Sequence, residues 1–158
     1  MQVNMHHDMT IIMENVMPEE ITRAELDEIL FNALRAIFAF EREKVSVFDL
    51  TYGEIYLLQF LRRSSNAPMS EIASEMHIPI STATRLIDRL EKRHLLSRRK
   101  DEKDKRKILV TLEEDGNELV SKVEDHTWDI IVKNLKKFSD EEIRCFIDTA
   151  EKLKDILL

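Results

Sequence analysis

The chain has 158 residues, 35% of them charged, with only two glycines and three prolines; it fits one domain with a real core and favours a mainly helical fold. A single cysteine, Cys145, excludes an internal disulfide framework and a paired-cysteine metal site, and no apolar run nears the ~18 residues of a membrane span. Asp8 and Glu14 interrupt the N-terminus, which does not read as a secretory signal, so a cytoplasmic location is the expectation; the formal charge of −7 requires any surface for a polyanion to be local.

In chain order, residues 1–18 read as a Met-rich extension of a single domain spanning 19–158. A first helix is expected over about 20–44. Leu26, Ile29, Leu30, Ala33, Leu34, Ile37 and Phe38 recur there at helical spacing, and Thr22 with Glu25 fits a capping box. A second helix opens at Leu50-Thr51-Tyr52-Gly53-Glu54, where Thr51 and Glu54 repeat that box, and it ends in the polar stretch 62–66. Two short helices follow. Ser70 caps the first, over 70–76; His77-Ile78-Pro79-Ile80 breaks it, and Ser81 caps the second, which runs to about His94. Ala83, Leu86, Ile87 and Leu90 form the buried stripe of that helix, and its outer face is basic. Residues 95–100 and 107–112 read as two strands joined by a polar hairpin tip, a wing. A long helix follows Glu113, and Ser139 with Glu142 caps the last one.

The charge is distributed unevenly. Between Ser81 and Thr111 there are eleven basic and five acidic residues, a net +6, so the rest of the chain carries −13. A helix, a four-residue turn, a helix with a basic outer face and then a wing form the pattern of a reader of double-stranded DNA. A recognition helix contacts base edges mainly through its N-terminal residues, here Ser81, Thr82, Thr84 and Arg85. Arg89, one turn on, is expected to meet the backbone, and Lys103, Lys105 and Arg106 to reach an adjacent minor groove or its phosphates. Asp104 is a poor DNA contact and is expected to hold Arg106 in place. The plainer alternative is a solvated face and loop.

These residues resemble the MarR (multiple antibiotic resistance regulator) family of winged helix-turn-helix transcription regulators, over about residues 20–158. The most specific part is Asp104-Lys105-Arg106-Lys107-Ile108-Leu109-Val110-Thr111-Leu112 followed by Gly116, which looks like the family's wing signature. Arg98, six residues before Asp104 and also a candidate DNA contact, matches too, as does Leu50-Thr51. Two positions depart: His94 stands where the family has glycine, and Glu113 replaces a threonine, so that Thr111 with Glu114 is a candidate cap one register earlier. The resemblance implies a DNA-binding lobe at 50–112 and a homodimer built from helices at 20–44 and 113–158. The apolar stripes at 20–44 and 140–158 agree, being wider than a winged-helix core can cover. Two recognition helices would then meet a pseudo-palindromic operator, with repression the expected mode. It also implies a small-molecule pocket; Arg35, Phe38, Tyr52 and Tyr56 are candidates to line it for an aromatic or lipophilic acid, although Phe38 and the tyrosines serve equally well as ordinary core.

Met1, Met5, Met9, Met13 and Met17, beside His6 and His7, suit either a soft-metal site or, more simply, an amphipathic helix with methionine as gap filler. Cys145 is expected to be buried and inert rather than a redox sensor. No catalytic motif, metal-ligand spacing or cofactor loop is present, so no enzyme, metal or cofactor is expected. The rival readings are a metal- or redox-responsive regulator on the same scaffold, and a winged-helix protein-interaction module.

Overall fold

Residues 21–157 are described by this computed structural model. They form α1 (Arg23–Phe48), α2 (Tyr52–Ser64), β1 (Ala67–Pro68), α3 (Met69–Glu75), α4 (Ile80–Lys92), β2 (Leu96–Lys100), β3 (Ile108–Leu112), α5 (Glu114–Leu135) and α6 (Asp140–Leu157). The Met/His segment expected at 1–18 lies outside the described residues. The chain divides into one unit ending at Glu43 and a second running from Lys44.

Both threonine boxes form. The Thr22 amide and hydroxyl donate to the Glu25 carboxylate at 2.8 and 2.7 Å, and Glu25 N–H returns a bond to Thr22 Oγ1 at 3.3 Å. Thr51 and Glu54 do the same at the start of α2. Ser139 and Glu142 complete a third box. In the first unit α1 leaves Ile29, Phe31, Leu34, Ile37 and Phe38 exposed. The helix continues to Phe48, past its expected end at Lys44.

The second unit has one core. Ile55, Leu58 and Leu61 of α2, Ile72 of α3, Ala83, Ile87 and Leu90 of α4, Leu96 and Val110 of the sheet, and Val120 and Val123 of α5 are all buried. Burying each large aliphatic side chain contributes about 1.5–3 kcal/mol, enough to fix the helix-turn-helix against the sheet.

That sheet has three strands, in the order β1-β3-β2, all antiparallel. Sequence reasoning missed β1. It is two residues long, and its proline is tolerated because an edge strand has a free side. Ala67 pairs with Val110 and Pro68 with Leu109, so the strand leads α3 directly off the sheet.

Three caps differ from expectation. Pro68, not Ser70, precedes α3, and Pro79, not Ser81, precedes α4; neither makes a side-chain cap. Proline's fixed φ suits a helix start, and Pro79 C=O accepts from Thr82 and Ala83 N–H at 2.9 and 3.1 Å. Ser81 and Thr82 therefore lie inside the first turn of α4. Thr111 belongs to β3 and bonds Asn66, so it does not cap α5; Glu113 holds that position, with no side-chain cap.

The histidines at the two helix ends share one device. His77, with φ 51°, follows α3, and His94, with φ 58°, follows α4. After α3, His77 N–H bonds Ser74 C=O at 3.1 Å and Ile78 N–H bonds Ala73 C=O at 3.0 Å; after α4, His94 bonds Glu91 at 3.0 Å and Leu95 bonds Leu90 at 3.1 Å. Both are Schellman closures, with histidine in the left-handed position that glycine usually fills. His94 thus keeps the exit angle into the wing.

Candidate nucleic-acid interface

The recognition helix carries its buried stripe at Ala83, Leu86, Ile87 and Leu90, which leaves Ser81, Thr82, Arg85 and Arg89 facing outward. Thr84 is half-buried, and its hydroxyl donates to Ile80 C=O at 2.8 Å. The Arg85 Nε–H points back to Ser81 C=O at 3.4 Å.

Arg89 is held from outside its own helix. Its Nε lies 3.2 Å from Oε1 of Glu54, whose side chain is only 7% exposed while that of Arg89 is 59% exposed. One turn further, Arg93 Nη1 donates to Asp49 C=O at 2.9 Å, in the connection between α1 and α2.

Arg98 behaves differently. Its Nη2 meets Asp88 and donates to Thr84 C=O at 3.3 Å, and its Nη1 lies 3.4 Å from Glu91. With a side chain 24% exposed, it braces β2 against α4. Sequence spacing placed Arg98 beside the wing but did not reveal that the recognition helix takes up its guanidinium.

The wing tip is ordered by two aspartates. Asp101 Oδ1 accepts from Lys103 N–H at 2.6 Å and from Asp104 N–H at 2.9 Å. Those backbone donors, that of Asp104 most, hold the Asp101 carboxyl below its ordinary pKa. Asp104 Oδ1 in turn accepts from Arg106 N–H and from Arg106 Nε–H, both at 3.1 Å. The Arg106 side chain is 92% exposed, and Lys103 and Lys105 are exposed beside it. Thr84, Arg98 and Arg106 border one notch of about 380 Å³ between α4 and the wing, with Met69, Ile80 and Ile108. Ile80, 57% exposed at the start of α4, was not among the residues the sequence singled out.

The effector candidates fall in both units: Arg35 and Phe38 in the first, Tyr52 and Tyr56 on α2. Tyr56 donates its hydroxyl to Glu75 at 2.6 Å, and that bond is the main reason its pKa is raised. Cys145 is exposed, not buried as expected, because α6 also leaves its neighbours Phe146 and Ile147 largely uncovered. Among the described residues no group of three or more His, Cys, Asp or Glu side chains could hold a metal, and no helix is long and apolar enough to cross a membrane.

The MarR family model matches residues 50–108. The chain is 28% identical over 131 residues to the HTH-type transcriptional regulator YsmB of Bacillus subtilis, covering 83% of this chain and 90% of that one. Among solved structures, a MarR family protein from Bacillus stearothermophilus superposes with a TM-score of 0.79 at 28% identity, over 90% of this chain and 99% of that one. A mutant form of S. aureus MepR bound to an oligodeoxyribonucleotide shares the fold, with a TM-score of 0.60 at 20% identity over 88% of this chain and all of that one.

Proposed function

We infer that this chain, a MarR-family winged helix-turn-helix protein, is a sequence-specific transcription regulator acting as a homodimer on a pseudo-palindromic operator, that it represses, and that a small molecule releases it. The observation that carries this reading is the alignment of outward-facing Ser81, Thr82 and Arg85 on the first turns of α4 with a wing whose Arg106 is held by Asp104. Helices of this kind fit the major groove, Arg85 suiting a guanine edge and Arg106 a narrow minor groove or its phosphates. Lys103 and Lys105 add phosphate contacts, and Arg98 sets the angle between wing and helix.

Dimerisation is supported by the exposed apolar side chains of α1 (Phe31, Leu34, Phe38) and of α6 (Phe146, Ile147, Ile156). Monomers seldom leave so many large apolar groups uncovered. Two-fold symmetry would then place two copies of α4 one helical turn of DNA apart, or a multiple of it. Arg35, Phe38, Tyr52 and Tyr56 remain the candidate effector contacts, for an aromatic or lipophilic acid. Such a ligand releases the operator only by binding one arrangement of the recognition helices better than the other.

The test is selection of duplexes from a randomised pool, followed by affinity measurement with Arg85→Ala and Arg106→Ala. Both variants should lose about 5- to 150-fold in affinity for the selected duplex, the loss of ~1–3 kcal/mol expected for a base or phosphate contact, while sedimentation still shows a dimer. Unchanged affinity in both variants removes the assignment.

A further inference from the structure

The six arginines between residues 81 and 111 divide by which edge of the guanidinium the protein holds. Arg93, Arg98 and Arg99 are engaged through Nη, with Asp49 C=O, with Asp88 and Glu91, and with Asn66 Oδ1. These bonds tie each guanidinium to another element through its outer nitrogens. Arg85 and Arg106 donate from Nε to Ser81 C=O and Asp104 Oδ1, and Arg89 is held as an ion pair with its Nε 3.2 Å from Glu54 Oε1. Among the described residues none of their Nη nitrogens donates a hydrogen bond to a protein group, and all three side chains reach solvent. A guanidinium gripped at Nε keeps its two-pronged outer edge for a planar or phosphate acceptor, with its rotamer already chosen.

Of the three grips, that on Arg89 is the most built. Glu54 is buried, and both of its oxygens are engaged: Oε2 accepts from the Thr51 amide and hydroxyl at 2.7 and 2.8 Å, and Oε1 faces Arg89 Nε at 3.2 Å. A buried carboxylate is stable only when paired and hydrogen-bonded, so its orientation is fixed by α2 and not by the arginine it holds. We propose that Glu54, outside the recognition helix, is a positioning residue for DNA binding: it grips Arg89 at Nε and aims the Nη edge at a backbone phosphate. The capping box of α2 thereby serves two purposes, closing the helix and setting a phosphate clamp on the neighbouring element, as Asp104 does for Arg106 in the wing. This assignment rests on the DNA-binding reading above.

The test uses the full chain and a fluorescent duplex selected by the wild-type protein from a randomised pool, with a scrambled duplex beside it, titrated across salt concentrations. Arg89→Ala should weaken binding and lower the slope of log affinity against log salt by about 1.8, the counterion release of one phosphate contact in each protomer of the dimer. Glu54→Gln should weaken binding about 3- to 10-fold with the slope unchanged, because the cation still reaches its phosphate but is no longer held. Arg89→Lys, a substitution on an exposed side chain that leaves the capping box intact, should match Glu54→Gln. The double variant Glu54→Gln/Arg89→Ala should bind as Arg89→Ala alone. Wild-type affinity in Glu54→Gln overturns the proposal. So does an unchanged slope in Arg89→Ala, or a Glu54→Gln loss that persists in full on the Arg89→Ala background. A wild-type protein that does not distinguish the two duplexes overturns the regulator reading itself.

Discussion

The chain's two glycines should respond in opposite ways to the same substitution. Gly116 lies in the first turn of α5, where a Cβ built on its backbone would stand 1.9 Å from Leu95 C=O, 2.9 Å from Leu95 C and 3.2 Å from Leu112 Cδ2. The first two neighbours are backbone, at the junction of α4 and β2, and cannot swing aside. Relief requires α5 and that junction to part by at least about 1 Å, an overpacking cost of roughly 1–3 kcal/mol. The parting also stretches the 3.1 Å bond from Glu113 N–H to Leu95 C=O, worth about 1 kcal/mol. Alanine's better helix propensity returns about 1 kcal/mol. Gly116→Ala should therefore lose about 1–3 kcal/mol, or roughly 2–12 °C in Tm for a chain of this size. At Gly53 the same Cβ would meet only Met76 Cε at 3.7 Å and Leu86 Cδ2 at 3.9 Å, ordinary contacts. Gly53→Ala should be neutral or stabilising by up to about 1 kcal/mol. Thermal melts followed by circular dichroism at one fixed protomer concentration compare the two variants with wild type. A Gly116→Ala protein melting at or above wild type refutes the argument that this close approach demands glycine.

His94→Gly should raise stability by about 1 kcal/mol in the same melts, since the left-handed φ of 58° penalises a side chain; a loss would mean that the histidine side chain stabilises the corner. Arg98→Ala should cost about 1–3 kcal/mol and weaken DNA binding with no change in salt slope, because the residue braces β2 on α4; a slope lower by about two units, one for each protomer, would make it a phosphate contact. The lowered pKa of Asp101 means that its contribution to wing order is full above the ordinary value of 3.8 and is lost as pH falls through the lower folded value. NMR amide shifts of Lys103 and Asp104 should accordingly hold steady from neutral pH down to about 4 and move only below it; a transition between about pH 5 and 6 would contradict the assigned bonds.

Much of this molecule was legible in residue order because its signals are local. Thr51 with Glu54 and Ser139 with Glu142 announce helix starts three residues ahead, and the boxes form as written. The recognition helix and wing stood out through a charge inversion that no other part of the chain shows. Asp104 and Arg106 are near enough in sequence for their pairing to be inferred without a fold. What was missed depends on partners far along the chain. β1 exists only because Val110 and Leu109 lie beside Ala67 and Pro68. Two prolines displaced serine caps because their fixed φ places the cap two residues sooner in each case. The grips on Arg89 and Arg98 could not be read from spacing, since Glu54 comes from another helix and Asp88 from the far side of the corner. Cys145 looked buried because its helix is apolar, yet the chain alone does not cover that face.

The most direct test is fluorescence anisotropy of the wild-type protein on the duplex upstream of its own gene, beside a scrambled duplex, at two salt concentrations. A sequence-specific regulator should bind the native duplex at least ~10³-fold more tightly, and raising the salt should weaken that binding steeply. Equal, weak binding to both duplexes would contradict the account and favour a winged helix whose partner is another protein.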